Sequence, residues 1–322
     1  MLLKKAAEGV KVRVLYDDYA SRKFKSNIAR QLKKGGVEIY PKIKVKLTML
    51  ANRVNHRDHR KVIIIDGTMG FVGGINISDR YDNSIDTGLY WRDTHVKITG
   101  PLVHSLQRHF LVSWNSSARN SLSFQKELFP DVSMKSGKGT AGLGQIVAGG
   151  PIYPMSNIML SYFRLFTLAR EKLYITNPYF IPSDSIMDAL KQAAISGVDV
   201  RLLVPKKSDS PVVGAASRFY FSELLSAGVK IFLYKKGFVH AKTVVADTLV
   251  SVVGTANMDI RSFDLNFEIM SVIYGNEFAK QLESVYLEDL DESEEVTMES
   301  WSENSMIKRL TYSIARLISS FL

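Results

Sequence analysis

The chain contains no cysteine, no long uninterrupted apolar run, and fewer acidic than basic side chains. Without cysteine, neither a disulfide framework nor a thiolate metal site can form. Because no stretch of about 18 apolar residues is present, the sequence predicts no membrane-spanning helix. Lys and Arg outnumber Asp and Glu by 42 to 32, a net charge of +10. This excess favours an anionic partner, either nucleic acid or an acidic membrane surface, although charge also serves solubility alone.

What the sequence does contain is an internal duplication. GVKVRVLYD at residues 9–17 matches GVDVRLLVP at 197–205, and LKKGGVEIY at 32–40 matches LLSAGVKIF at 224–232. The matching segments keep the same order in both halves. A repeat of about 180 to 190 residues indicates two fused domains, because solenoid repeats are far shorter.

In each half, helical patterns alternate with short Val- and Ile-rich runs such as KVIIID and VRLLVP. These runs are typical of strands buried on both faces. We therefore predict an α/β fold of two similar lobes, each a mostly parallel or mixed sheet flanked by helices. The predicted lobes span residues 1–114 and 152–322. The segment 115–151, with its KSGKGTAGLGQ stretch, is the predicted linker.

The duplication predicts one missing element in the first lobe. The second half has a strand pattern at residues 172–177, and the offset between Gly9 and Gly197 is 188 residues (197 − 9). The counterpart of that strand would therefore precede residue 1. The first lobe is expected to be truncated at its N-terminus. A lobe built without this strand is the alternative.

Each half also carries a His-x-Lys sequence that is followed, after four further residues, by Asp. An Asn lies 17 residues after each His (76 − 59 and 257 − 240). Residues two apart share one face of a strand, so each His and Lys point the same way and suit a phosphate group. The Asp falls at the strand end or on the other face, where it braces the lobe. The candidate catalytic set is His59, Lys61, Asp66, His240, Lys242 and Asp247.

If the lobes meet at one site, a neutral His can attack phosphorus while the other His protonates the leaving oxygen. Candidate phosphate-binding residues are Asn76, Asn257 and Thr255. Asp93 and Glu268 open equivalent apolar runs and are predicted to orient the two imidazoles. The lysines stabilise charge without a metal. His56 and His59 form an H-x-x-H pair, but no further metal-ligand motif accompanies it.

The duplicated motif resembles that of the phospholipase D superfamily. Within it, NHRDHRKVIIIDG, YWRDTHVKITGP, NPYFIPSD and GTANMDIRSFDLNFEI resemble bacterial cardiolipin synthases. The resemblance implies a cofactor-independent transfer between two phosphatidylglycerol molecules, giving cardiolipin and glycerol through a phosphatidyl-histidine. It favours His59 as nucleophile and His240 as acid, then base. It also implies a peripheral position on an anionic phospholipid membrane, with no nucleic acid partner. Family members commonly begin with two transmembrane helices, which this sequence does not contain.

Two other functions stay open. A phosphodiesterase would use the same residues with water as acceptor, on phospholipid or nucleic acid. A module that only binds anionic lipid would keep the motifs without turnover. The C-terminal stripe Ile307, Leu310, Ile314, Leu317 and Phe321 either lies on a membrane or packs on its own domain.

Overall fold

The computed structural model describes residues 1–21, 24, 27–42, 56–132 and 142–319. Most of the KSGKGTAGLGQ stretch, and Phe321 of the C-terminal stripe, lie outside these residues. The elements of the first lobe are α1 (Leu2–Ala7), β1 (Arg13–Tyr16), α2 (Ile28–Lys34), β2 (Glu38–Pro41), β3 (Arg57–Asp58), β4 (Val62–Ile65), β5 (Met69–Gly73), β6 (Trp91–Arg92), β7 (His95–Thr99) and α3 (Leu102–Asn115).

The second part of the chain is more regular and has longer strands. Its elements are β8 (Leu143–Gly149), α4 (Asn157–Leu168), β9 (Lys172–Thr176), β10 (Phe180–Ile181), α5 (Asp184–Ile195), β11 (Asp199–Pro205), α6 (Pro211–Phe219), α7 (Phe221–Ser226), β12 (Lys230–Tyr234), β13 (Phe238–Val239), β14 (Thr243–Ala246), β15 (Val250–Gly254), β16 (Met258–Asp259), β17 (Asn266–Tyr274), α8 (Asn276–Asp291), β18 (Ser293–Val296), α9 (Met298–Ser302) and α10 (Met306–Ser319).

The main sheet of the second lobe runs β18-β12-β11-β9-β14-β15-β17, and β8 pairs with β17. Strand β11 is parallel to both β9 and β12, whereas β14, β15, β8 and β18 pair antiparallel to their neighbours. The sheet is therefore mixed, and helices cover it. This confirms the predicted α/β class, in its mixed form.

The first lobe has a smaller frame. Strands β4, β5 and β7 form one antiparallel sheet, and β1 and β2 form a separate parallel pair. In the second lobe β9 lies between β11 and β14. Among the described residues, no strand fills the equivalent place between β1 and β4. Within the described ranges, the two pieces of the first lobe therefore form separate sheets.

The prediction that KVIIID is buried on both faces is wrong for this strand. Ile63 and Ile65 are 49% and 45% exposed. Their equivalents in the second lobe, Val244 and Ala246, lie in a buried core cluster that also contains Tyr162 and Phe166 of α4. The difference arises because the outer face of β4 has no comparable helical cover in the described part of the chain.

Part of the predicted linker is also a strand. Residues 143–149 form β8, which pairs with β17 from Leu143↔Tyr274 to Gly149↔Glu268. Neighbouring side chains pack closely against the glycines of this strand, of which Gly144 belongs to the stretch that suggested a loop. A Cβ at Gly144 would lie 2.6 Å from Leu102 Cδ2, and one at Gly149 would lie 3.1 Å from Ile158 Cδ1.

The two lobes share one apolar core. Val72 and Ile98 of the first lobe belong to the same buried cluster as Val253 and Ile269 of the second. Burying these side chains together is favourable, at about 25 cal/mol per Å² of apolar surface removed from water. Among the described residues, no helix combines the length and the apolar content that a bilayer crossing requires.

Candidate active site

Short strand pairs between the lobes position the two motif histidines. Strand β3 runs parallel to the start of β17, and β6 runs parallel to β13. Directly after these pairs, the His59 N–H donates to the Phe267 carbonyl at 3.0 Å, and the His240 N–H donates to the Arg92 carbonyl at 2.7 Å. Each motif histidine is thus held by backbone from the opposite lobe.

The orienting carboxylates are exchanged in the same way. His59 Nδ1 lies 2.8 Å from Glu268 Oε1, and His240 Nδ1 lies 2.8 Å from Asp93 Oδ2. The sequence predicted Asp93 and Glu268 as orienting residues without assigning a partner to either, and the structure places each beside the motif histidine of the other lobe. With Nδ1 engaged, each imidazole has Nε2 left for chemistry.

The two carboxylates are supported differently. Glu268 is fully buried, and the Thr255 hydroxyl donates to its Oε2 at 2.5 Å. Thr255 Oγ1 also accepts from the Ile269 N–H. The Thr255 hydroxyl is thus used behind Glu268, and its predicted contact with phosphate is not what the structure shows.

Gly74 occupies the position in the first lobe that Thr255 occupies in the second, since each follows its motif His by 15 residues (74 − 59 and 255 − 240). A Cβ at Gly74 would lie 2.1 Å from Asp93 Oδ1. Any side chain at residue 74 would clash with the Asp93 carboxylate, so this position requires glycine. Asp93 Oδ1 instead accepts from the Thr94 N–H at 2.7 Å.

The motif lysines take the same pose in both lobes. Lys61 Nζ donates to the His59 carbonyl at 2.6 Å, and Lys242 Nζ donates to the His240 carbonyl. Burial lowers the pKa of Lys61 to about 8 and that of Lys242 to about 7, against the opposing pull of Glu268 and Asp93. Burial thus makes the charged form of both lysines less favourable than it is in water.

The charges of these lysines also affect the pKa of a motif histidine. The pKa of His240 lies well below its ordinary value, first because the ring is buried, and then because the positive charges of Lys242 and Lys61 are nearby. Burial raises the pKa of Asp93 to about 6. The motif groups of both lobes therefore act in one electrostatic site that is poised to receive negative charge.

Aromatic rings surround only one of the two imidazoles in the described part of the chain. The side chain of His240 is 6% exposed, whereas that of His59 is 28% exposed. The rings near His240, at centroid distances of 5.5 to 6.3 Å, are those of Tyr81, Trp91, Phe238 and Tyr179. Sequence reasoning missed these residues, although aromatic letters stand in YWRD and NPYF.

The two motif asparagines differ as well. Asn76 Nδ2 donates to the Tyr81 hydroxyl at 2.6 Å, and that hydroxyl lies 3.4 Å from His240 Nδ1. Asn257 is buried, and its Oδ1 has no hydrogen-bond partner among the described residues. Asn76 therefore reaches the site through Tyr81, whereas Asn257 retains unused hydrogen-bonding capacity.

The motif aspartates are not at the site, which corrects their place in the catalytic set. Asp66 and Asp247 sit in the β4–β5 and β14–β15 turns, with φ of 52° and 53°. Asp tolerates this left-handed backbone better than most residues. The Asp247 carboxylate accepts from three backbone N–H groups, those of residues 170–172. The exposed Asp66 has no such hydrogen bond among the described residues. Nowhere in the described part of the chain are three or more His, Asp or Glu side chains arranged to hold a metal ion.

Known proteins share this architecture. The structure is similar to the crystal structure of phosphatidylserine synthase from Haemophilus influenzae Rd KW20, with a TM-score of 0.65 over 96% of this chain and 80% of that one, at 17% identity. The two proteins thus share a fold. A family model described as cardiolipin synthase, PLD-like domain, matches residues 1–114 and 162–290. The chain belongs to this cardiolipin synthase family.

Two curated relatives illustrate the family. The cardiolipin synthase of Geobacillus sp. (strain WCH70) is 42% identical over 322 residues, and that of Listeria monocytogenes serotype 4a (strain HCC23) is 40% identical over 323. Both alignments cover the whole of this chain. The chain spans 64% and 66% of the length of these relatives. The resemblance noted in the sequence is confirmed.

Proposed function

We propose that this chain carries a phosphatidyltransferase site that joins two phosphatidylglycerol molecules into cardiolipin and releases glycerol. The observation that carries the proposal is the pair of imidazoles, each held through Nδ1 by a carboxylate of the other lobe, with both motif lysines in the same site. Membership of the cardiolipin synthase family supports the choice of lipid.

In the first step, Nε2 of His59 attacks the phosphorus of one phosphatidylglycerol. A P–N bond forms, the bond from phosphorus to the headgroup glycerol breaks, and His240 gives its proton to the leaving glycerol oxygen. His59 is favoured as nucleophile because its ring is the more accessible and Glu268 holds it from a buried position. Lys61 and Lys242 stabilise the charge on the phosphoryl oxygens.

In the second step, the hydroxyl of another phosphatidylglycerol loses its proton to neutral His240 and attacks phosphorus. The P–N bond breaks, cardiolipin leaves, and His240 is again protonated. The low pKa of His240 suits a base. For the first step His240 must carry a proton, and the bound phosphodiester anion supplies the negative charge that raises its pKa.

Exposed apolar side chains near the site favour a lipid over a nucleic acid. Ile75 and Ile77 flank Asn76, which is linked to His240 through Tyr81, and both isoleucines are exposed. Ile260 is exposed as well, and it follows Asp259, whose carboxylate is close enough to Lys242 to oppose the lowering of that lysine's pKa by burial. A nucleic acid surface would call for basic side chains at these positions, whereas acyl chains suit isoleucine.

The test is to incubate the purified chain with phosphatidylglycerol in detergent micelles containing EDTA and to identify the products by mass spectrometry. Cardiolipin together with glycerol supports the proposal. Phosphatidic acid without cardiolipin would show that water is the acceptor. A folded protein that binds a phosphodiester but makes neither product contradicts the proposal for this chain. His59→Asn provides the inactive control.

A further inference from the structure

The C-terminal helix α10 turns its apolar side away from the protein. Its exposed apolar side chains are 49% to 86% exposed and comprise Met306, Ile307, Leu310, Ile314, Leu317 and Ile318. At about 100° per residue these six cover an arc of about 120° on one side of the helix. The described part of the stripe identified in the sequence therefore does not pack on its own domain.

The opposite side of α10 holds the helix in place. Ala315 is buried in the core of the second lobe, and the Tyr312 ring stacks on Trp301 at a centroid distance of 5.7 Å. This side packs along α6, where the Arg316 guanidinium lies 5.7 Å from the centre of the Phe219 ring. The helix is thus docked by its small and aromatic residues, and its aliphatic residues are left outside.

The charge of α10 indicates what covers the apolar side. The helix contains no acidic residue and carries Lys308, Arg309 and Arg316, all exposed. The same helix of a second copy placed against this face would offer these cations no acidic side chain to pair with. An anionic bilayer would instead attract them while its acyl chains accept the aliphatic side chains.

The position of α10 relative to the site fits such a surface. Helix α6, on which α10 packs, begins at Pro211 just after Asp209. The Tyr179 hydroxyl donates to Asp209 Oδ1 at 2.6 Å, and the Tyr179 ring lies 6.3 Å from that of His240. The outward helix is therefore separated from the wall of the active site by a single helix and loop.

We propose that α10 docks this protein on an anionic bilayer, with its aliphatic side inserted at the boundary between headgroups and acyl chains. The biological purpose of this docking, bringing the active site to its lipid, rests on the proposed function. The docking itself does not require turnover and can be measured separately.

The test is flotation of the 322-residue protein with vesicles of phosphatidylglycerol and phosphatidylcholine, compared with phosphatidylcholine alone. The double variant Leu310→Asp, Ile314→Asp is expected to lose at least about tenfold in partitioning, because two inserted side chains become charged. The control is Ile195→Asp on α5, an isoleucine that is 74% exposed, and it should partition like the parent protein. Lys308→Gln with Arg309→Gln should weaken binding to the anionic vesicles only.

Equal partitioning of the parent protein and the double variant would overturn the docking proposal. So would a parent dimer that the double variant converts to a monomer, because a second copy would then cover the face. Turnover on short-chain phosphatidylglycerol below its micellar concentration separates the two proposals. There the double variant should equal the parent. Vesicle binding that the variant loses, without turnover by either protein, would leave docking intact and refute the enzyme.

Discussion

The two lobes carry the same motif but hold it in different surroundings. His240 is enclosed by aromatic rings and has a depressed pKa, whereas His59 is partly exposed and is held by a carboxylate that also accepts from the Thr255 hydroxyl. Duplication supplied two equal imidazoles, and the residues around them made them unequal. The proposed two-step transfer uses this difference, since in it one histidine accepts phosphorus while the other handles protons.

The largest expected effect comes from the histidines themselves. His59→Asn and His240→Asn should each lower turnover by at least about 10³-fold, because nucleophile and proton carrier act as a unit. A phosphatidyl ester of p-nitrophenol tells them apart, since this leaving group needs no acid. With it, the His240→Asn protein should accumulate lipid on residue 59, seen by intact-protein mass spectrometry. Lipid found on residue 240 of the His59→Asn protein would reverse the roles.

The motif aspartates should separate the lobes in stability. Asp247→Gly keeps the left-handed turn but removes a carboxylate that accepts several backbone N–H groups, and it should cost about 2–4 kcal/mol. Asp66→Gly, the matched change in the first lobe, should cost under about 1 kcal/mol, since that carboxylate is exposed. Urea midpoints measure both. Equal losses would show that Asp66 braces the first lobe as Asp247 braces the second.

The support behind Glu268 should matter by a smaller factor. Thr255→Val removes the hydroxyl that donates to this buried carboxylate and should lower turnover by about tenfold through misorientation of His59. The urea midpoint of this variant must stay near that of the parent for the result to count. The control is Ser251→Ala, because the buried Ser251 hydroxyl has no partner among the described residues. A Thr255→Val enzyme as active as its control would contradict the role of this support.

The smallest effect is on pH dependence. An anionic phosphodiester should raise the pKa values of Lys242 and Lys61 from about 7 and about 8, so the bound state holds more protons. Affinity should then be highest below pH 7 and fall as the pH rises through this range. Calorimetry with dimethyl phosphate in buffers of different ionisation enthalpy measures the proton uptake. Lys242→Met should remove the part of this pH dependence that lies near the Lys242 pKa of about 7. Release of protons on binding, instead of uptake, would contradict this explanation.

Much of the site could be predicted because duplication makes the motif visible twice. The spacing predicted the His and Lys residues that the structure brings into one site, and Asp93 and Glu268 were predicted from their equivalent positions. The crossing of these carboxylates between lobes could not be predicted, because it depends on how the lobes pack. Thr255 was misplaced for a similar reason, since a hydroxyl near the motif suits phosphate or a carboxylate equally well. The glycines of β8 suggested a loop because close packing and loop flexibility favour the same residue.

The exchange of carboxylates between lobes has a consequence for how this protein matures. A chain in which only one lobe has folded holds an imidazole whose Nδ1 lacks its acceptor, because that acceptor belongs to the other lobe. The site for the proposed reaction is therefore complete only after both lobes have folded and packed together. A nascent or proteolysed half-molecule has no oriented histidine that could attack a lipid. A change of Asp93 or Glu268 in one lobe therefore removes the Nδ1 acceptor of the histidine in the other lobe.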